Sequence, residues 1–327
     1  MLVLGSATRS TAQGWQRDPI LSQLLVKQQL FDAAGFSWVA TDEGVFRYDG
    51  YELMALRRLL RPGSPLPPER LVQALALDGS GHLWIGAEAG LFCLEIRTGQ
   101  LRAVPLPAPP GTTYPNITTL FCHPRSGQLW VGYGADAVAV LAAAGPAYRC
   151  VGTPRHLGGG AYFFQPDGTA SGVWLSLRQA NWPARAFYSD DLQPGVVQLA
   201  PTGPPRRRIV TRSYMVPVPG TVPLRLFSAS AWFEAGADNQ VHELRRWLPA
   251  GNEDNFIPLT ARDGSRQWAT QDLRLGLTVR GPAAGRVLRD SLRLGGGGAD
   301  HRHSYVLASD SLGGQWCYSQ YWRGCYK

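Results

Sequence analysis

Short apolar runs, each closed by a cluster of Gly, Asp or Ser, set the rhythm of this chain. Between Val72 and Leu106 the rhythm is complete. Val72 to Leu77 is continuously apolar and predicts a strand buried on both faces. Asp78-Gly79-Ser80-Gly81 predicts a tight turn, because glycine reaches positive φ without steric cost and aspartate bonds backbone amides two residues on. His82 to Ala87 follows as a second strand, Glu88-Ala89-Gly90 as a turn and Leu91 to Ile96 as a third strand. Arg97-Thr98-Gly99-Gln100 then turns the chain into a fourth strand, Leu101 to Leu106. Turns this short suit hairpins, so the segment predicts a four-stranded antiparallel meander. Phe36 to Thr41, Val45 to Tyr48 and Tyr51 to Leu56 repeat the pattern around Asp42-Glu43-Gly44.

A tryptophan marks the second strand of each unit. Trp38, Trp84 and Trp130 are 46 residues apart, and Trp174, Trp232, Trp268 and Trp316 follow at spacings of 44, 58, 36 and 48. These spacings centre on the roughly 40–50 residues of one propeller blade. The surroundings repeat too: Asp32 and Gly35 precede Trp38 at the offsets by which Asp78 and Gly81 precede Trp84 and Asp310 and Gly313 precede Trp316. At Trp130 only Gly127 survives, with Pro124 where the aspartate would stand. A meander cannot bury both faces alone, so successive sheets must stack, and the indole at a fixed place is expected to fill the gap between them. The expected fold is all-β, a β-propeller of seven four-stranded antiparallel blades spanning residues 14–327.

The last unit holds about half the residues of a full blade before Lys327. It is expected to be either incomplete or closed by an N-terminal strand around Gly14 to Asp18, a pairing that also removes an exposed edge. Residues 1–13 read as the remnant of a signal peptide or a disordered N-terminus. No run approaches the roughly 18 apolar residues of a membrane span.

Composition adds little chemistry. The net charge is +8, yet only Lys27 and Lys327 are lysines, and the arginines are scattered through all units apart from Arg206-Arg207-Arg208. That distribution reads as a solvated basic surface rather than a nucleic-acid footprint. Among five cysteines, Cys93 and Cys122 fall in strands as small hydrophobes. Cys317 and Cys325 sit in successive strands of the last unit and could pair as a disulfide. The six histidines form no metal-ligand spacing, and no nucleophile elbow or phosphate loop appears, so neither a metal nor a cofactor is expected.

The run Asp32-Ala-Ala-Gly35-Phe-Ser-Trp38-Val-Ala-Thr41-Asp-Glu-Gly44-Val-Phe-Arg47-Tyr48-Asp49-Gly50-Tyr51 resembles the two-component regulator propeller repeat, and Asp78 to Phe92 resembles it nearly as well. Strong matches cover about a third of the chain. The resemblance implies a periplasmic or secreted sensor region of the kind found in bacterial hybrid histidine kinases, often responding to glycans, without the kinase itself.

Propellers bind at a central mouth formed by the loops between blades and the turns between second and third strands. The long connections here, Leu59 to Arg70, Pro107 to Asn116 and Thr153 to Ala161, carry Arg61, Arg70, Tyr114, Arg155 and His156. The equivalent turn of the fourth unit carries Arg178, Asn181 and Trp182. Arginine, aromatic and amide groups suit hydrogen bonding and stacking to a sugar or acidic small molecule. The expectation is a non-catalytic propeller that binds a small-molecule or glycan ligand or a protein partner. The alternatives are a propeller lyase and a pure protein-protein scaffold. His242 and Glu243 are neighbours in a strand and face opposite sides, which argues against their acting as a catalytic pair.

Overall fold

The computed structural model describes residues 16–67, 71–107, 116–134 and 137–144 without a break, and beyond them the strands named below with Asp310, Gly314 and Lys327. The first sheet is β1 (Val26–Phe31), β2 (Ser37–Thr41), β3 (Gly44–Tyr48) and β4 (Leu53–Ala55), in that order and antiparallel throughout. The second is β5 (Val72–Leu77), β6 (His82–Ala87), β7 (Gly90–Glu95) and β8 (Gln100–Val104). The third is β9 (Ile117–Cys122), β10 (Leu129–Tyr133), β11 (Ala137–Ala144) and β12 (Ala147–His156). The fourth is β13 (Ala161–Pro166), β14 (Val173–Leu177), β15 (Ala184–Tyr188) and β16 (Pro194–Gln198).

The sheet around Trp232 departs from the pattern. Its strands are β17 (Ala200–Pro201), β18 (Val216–Val218), β19 (Leu224–Phe227), β20 (Ala231–Ala235) and β21 (Gln240–Arg246). They run in the order β17-β21-β20-β19-β18, with β17 parallel to β21. Ala200 and Pro201 therefore take the edge of this sheet beside β21. A proline is tolerated there because a sheet edge asks for no ladder donor on its outer side. The next sheet is regular: β22 (Phe256–Thr260), β23 (Arg266–Asp272), β24 (Gly276–Arg280) and β25 (Val287–Leu292). The last contains β26 (Tyr305–Ser309), β27 (Gln315–Ser319) and β28 (Cys325–Tyr326).

The N-terminus completes that last sheet. Arg17 bridges Tyr326 antiparallel, Gln16 and Lys327 exchange both backbone hydrogen bonds at 2.8 Å, and the Asp18 amide donates to the Cys325 carbonyl at 2.8 Å. The expected N-terminal pairing is therefore present at Gln16 to Asp18, as a short antiparallel bridge. Residues 1–13 lie outside the described residues. Asp18 then holds the joint: its Oδ1 accepts the Ile20 and Leu21 amides at 2.9 and 2.7 Å, and its Oδ2 accepts the Tyr48 hydroxyl at 2.8 Å. Ser22 Oγ donates to the Cys325 carbonyl and accepts the Cys325 amide, at 2.9 and 3.0 Å.

The first strands of successive sheets are neighbours: β1 lies beside β5 and β26, β5 beside β9, and β9 beside β13. First strands are thus innermost and fourth strands form the rim. Trp38, Trp84, Trp130 and Trp316 fill the gaps as expected, and the side chains of Trp174, Trp232 and Trp268 lie outside the described set. Trp38 packs with Val72, Leu75 and Ile85 of the second sheet; Trp84 with Ile117, Leu129 and Val131 of the third; Trp316 with Val26, Val39 and Tyr48 of the first. Trp130 faces Phe164 of the fourth at 6.1 Å between ring centroids.

In three units an aspartate ties the turn to the indole. Asp32 accepts the Ala34 and Phe36 amides on Oδ1, both at 3.0 Å, and Trp38 Nε1 on Oδ2 at 2.8 Å. Asp78 does the same for Ser80, His82 and Trp84, and Asp310 for Gly314 and Trp316. Gly35 and Gly81 sit at φ of 89° and 85°, the left-handed bend this turn requires. In the third unit the turn is one residue longer, and His123 rather than Pro124 stands in the aspartate's place. His123 Nδ1 accepts the Arg125 and Ser126 amides at 3.3 and 3.1 Å, while Trp130 Nε1 is buried without a hydrogen-bond partner among the described residues.

The disulfide that Cys317 and Cys325 could form is absent; neither thiol is bridged, nor are those of Cys93 and Cys122. Register explains it. Cys317 pairs with Tyr326 and Cys325 with Tyr318, so the two sulfurs leave opposite faces of the sheet. Burial raises the Cys317 thiol well above its ordinary value and pushes Cys325 up to about 12.

Candidate functional site

Turns alternate between the two ends of a meander. One end collects the turns between second and third strands, Asp42-Glu43 in the first sheet and Glu88-Ala89 in the second, together with the starts of the innermost strands. This end is the mouth. The other collects the Asp–Gly turns and the hairpins between third and fourth strands.

A distortion recurs at the mouth. The register of β1 on β2 shifts between Val26 and Gln28, that of β5 on β6 between Val72 and Ala74, and that of β13 on β14 between Ala161 and Phe163. In β9, Ile117 and Thr119 oppose the adjacent Tyr133 and Gly132. These four innermost strands thus carry an extra residue at the second position, Lys27, Gln73, Thr118 and Tyr162, whereas β22 and β26 pair without a shift. A bulge bends its strand and re-aims a side chain. Repeated in the first three sheets, it sets Lys27, Gln73 and Thr118 at one level of the mouth.

The residues just before two of these strands are in the left-handed region, Leu71 at φ 50° and Asn116 at φ 36°. For a leucine that conformation costs about 1 kcal/mol or more. Leu71 is also 45% exposed. Asn116 is clamped: its carbonyl accepts the Gly134 amide at 2.8 Å, and its Oδ1 accepts Gln73 Nε2 at 3.3 Å. Gly134 lies so close to the Asn116 amide that a Cβ there would sit 2.5 Å from Nδ2. Below this level Gln28 joins the first two sheets, its Oε1 accepting the Leu75 amide at 2.6 Å and its Nε2 donating to the Leu75 carbonyl at 3.0 Å. The rim above is acidic, with Glu43 and Glu88 exposed and Asp42 half-buried. The mouth therefore offers a lysine ammonium, amides, a hydroxyl, carboxylates and one exposed aliphatic side chain. Such a mixture donates and accepts hydrogen bonds and presents an apolar face.

Of the residues named from sequence, only Arg61 has a described side chain. It is exposed, and its amide donates to the Gly99 carbonyl at 2.8 Å. Gly99 belongs to a hairpin between third and fourth strands, so Arg61 sits at the end opposite the mouth. Its connection first drops along the rim before climbing to Leu71. Arg155 and His156 end β12, paired with Val138 and Ala137, and their side chains are outside the described set. Arg70, Tyr114, Arg178, Asn181 and Trp182 lie outside the described residues. Sequence reasoning missed Lys27, Gln73, Asn116 and Thr118. The one signal pointing to any of them was that Lys27 is one of two lysines in the chain.

A second polar cluster lies between the second and third sheets. Asp78 Oδ2 accepts the Tyr148 hydroxyl at 3.1 Å and contacts His82 Nδ1 at 2.9 Å, and Tyr148 meets Trp84 edge-on at 4.4 Å. Burial would raise the Asp78 carboxyl, but the bonds from His82, Trp84 and Ser80 outweigh it and hold the group below its ordinary value. Burial likewise raises Tyr148. The Asp78 carboxylate is occupied by partners from its own turn and from the neighbouring sheet, so this cluster is a structural joint. Among the described residues no group of three or more His, Cys, Asp and Glu side chains could hold a metal ion, and no helix is long and apolar enough to cross a membrane.

No protein-family model matches the chain, and no curated protein matches it in sequence. Solved structures do match in fold. The extracellular domain of the hybrid two-component system BT4673 from B. thetaiotaomicron superposes over 96% of this chain and 39% of its own, with TM-score 0.61 and 14% identity. That of BT3049, also from B. thetaiotaomicron, covers 92% of this chain and 39% of its own, with TM-score 0.60 and 13% identity. YCF48 bound to a D1 peptide covers 96% of this chain and 94% of its own, with TM-score 0.60 and 10% identity. The chain thus spans about two fifths of the length of the B. thetaiotaomicron domains it matches. Extracellular domains of hybrid two-component systems share this fold, in agreement with the resemblance read from the Asp–Gly–Trp units. At these identities the likeness is one of fold.

Proposed function

We propose that the chain is a non-catalytic, ligand-sensing propeller of seven blades, working outside the cytoplasm as an input region of the two-component type. The mouth is its binding surface. The observation that carries the reading is the recurring bulge, which sets Lys27, Gln73 and Thr118 at one level around the inner strands beside Asn116. A repeated backbone distortion with a different polar side chain at each repeat is how a symmetric scaffold makes an asymmetric site. Hydroxyl-rich ligands suit such a surface: carboxylates and amide oxygens accept from hydroxyls, Lys27 and the amide nitrogens donate to them, and Leu71 meets a C–H face. A glycan is the ligand class proposed. Tyr114, Arg155, His156, Arg178, Asn181 and Trp182 are proposed to extend the same mouth.

The test is a glycan array probed with the purified chain, followed by titration of the best ligand into Lys27→Ala, Gln73→Ala, Tyr114→Ala and Trp182→Ala variants. Loss of about tenfold or more in affinity at two or more of these positions is expected. Binding that all four substitutions leave untouched would move the site away from the mouth. A blank array would favour a protein-binding platform, the reading to which peptide-bound YCF48 lends weight.

A further inference from the structure

Two side chains of the mouth are joined to each other across neighbouring sheets. Gln73 is the extra residue at the entry to β5, and Asn116 stands just before β9. Gln73 Nε2 donates to Asn116 Oδ1 at 3.3 Å, which sets the order of groups along the pair. Gln73 Oε1 is left as an acceptor at one end and Asn116 Nδ2 as a donor at the other. Neither atom has a partner among the described residues, and both side chains are half-buried, within reach of water.

The backbone makes room for this pair. Asn116 takes φ 36°, a left-handed conformation that asparagine tolerates better than most residues. Its carbonyl accepts the Gly134 amide at 2.8 Å, so the turn after β10 holds it in place. A Cβ on Gly134 would stand 2.5 Å from Asn116 Nδ2, 3.2 Å from its Cγ and 3.3 Å from Thr118 Cγ2. Gly134 lies outside the left-handed region, so its own backbone does not call for glycine. The missing side chain leaves the space that the Asn116 amide occupies.

We propose that the linked Gln73–Asn116 pair reads a vicinal diol of a neutral sugar. This rests on the mouth being the sugar-binding surface, and names the contact within it that selects among sugars. One hydroxyl accepts from Asn116 Nδ2 and donates to its neighbour, and the neighbour donates to Gln73 Oε1. With the Gln73–Asn116 bond, this closes a ring in which every hydrogen bond points the same way round. Each bond in such a ring polarises the next, so the linked pair holds a diol more tightly than two separate amides would. A lone hydroxyl fills one end and leaves the other unpaired. A carboxylate only accepts and is repelled by Gln73 Oε1; an ammonium only donates and is repelled by Asn116 Nδ2. Hydroxyls on adjacent carbons supply both functions within one small group.

The ¹⁵N-labelled chain is titrated with the methyl glycosides of glucose, galactose and mannose, and with the 2-, 3- and 4-deoxy forms of each. The readout is the side-chain amide resonances of Gln73 and Asn116, assigned from the Gln73→Ala and Asn116→Ala spectra. Saturable shifts of both are expected with at least one parent glycoside. Loss of either hydroxyl of the bound diol should lower affinity about tenfold. Gly134→Ala removes no polar atom but displaces Asn116 Nδ2, and should lower affinity by a similar factor at an unchanged urea midpoint. Glycosides that shift the Lys27 and Thr118 amides but leave both side-chain pairs unmoved overturn the diol reader and spare the sugar-binding mouth. So does equal affinity for the parent and all its deoxy forms. A spectrum that no glycoside shifts overturns both.

Discussion

Trp38 and Trp130 occupy equivalent places with equal burial, yet replacing each by phenylalanine should have opposite polar consequences. Both are 1% exposed. Trp→Phe removes two ring carbons and the N–H, and two buried carbons are worth about 1.6 kcal/mol in either case. At Trp38 the N–H also donates to Asp32 Oδ2 at 2.8 Å, and Asp32 is itself buried. Losing a hydrogen bond to a charged group adds about 1.5–3 kcal/mol. At Trp130 the N–H is buried without a partner among the described residues, so its removal relieves a desolvation penalty of about 1–3 kcal/mol. Trp38→Phe should therefore cost about 3–4 kcal/mol and Trp130→Phe close to nothing. Urea unfolding followed by circular dichroism reads the difference. At matched slopes near 3 kcal/mol per molar, the Trp38→Phe midpoint should fall by about 1 M. Equal losses for the two variants, or a larger loss for Trp130→Phe, would refute the account of the Asp–Trp clamp.

Ring closure depends on Asp18: Asp18→Ala removes the acceptor of the Tyr48 hydroxyl and of two amides, and should cost about 2 kcal/mol. The sign of that change should appear locally as faster hydrogen exchange at the Lys327 amide, with the second-sheet strands unaffected. The Asp78 carboxyl is held below its ordinary value of 3.8, so its contribution is fully present above that pH and is lost as pH falls through its lower folded-state value. The stability gap between wild type and Asp78→Asn should accordingly be constant at neutral pH and shrink in acid; a gap that does not change with pH argues against an ionised hub. All five cysteines should titrate with Ellman's reagent in denaturant whether or not reductant is added first. In the native chain at pH near 8, Cys122 and Cys325, pushed up to about 11 and about 12, should react slowly. Three thiols in unreduced denatured protein would restore the disulfide.

The legible parts of the fold were those whose cause is local. β5 and β6 run from Val72 to Leu77 and from His82 to Ala87, the spans their apolar runs predict, because turn chemistry at Asp78–Gly81 stops one strand and starts the next. The N-terminal pairing at Gln16 to Asp18 is legible because an unpaired edge needs covering. Where a turn gained one residue, the fixed offset failed. It pointed to Pro124, and the backbone placed His123 in the role. The candidate site was mostly illegible, since a bulge is a property of a strand pair. Val26 and Gln28 carry no mark of it; it exists only in their register against Thr41 and Ala40.

By itself the sequence determined the strand rhythm, the glycine-dependent turns and the places of the tryptophans, because each follows from a few adjacent residues and their φ/ψ and solvation preferences. Tertiary structure alone decided which groups meet. It put Tyr148 on Asp78, 70 residues away, tied Ser22 to Cys325 across 303, sent Arg61 to the end opposite the mouth, and set Cys317 and Cys325 back to back. Those outcomes depend on how whole sheets pack and register, where one residue of slip exchanges the two faces of a strand.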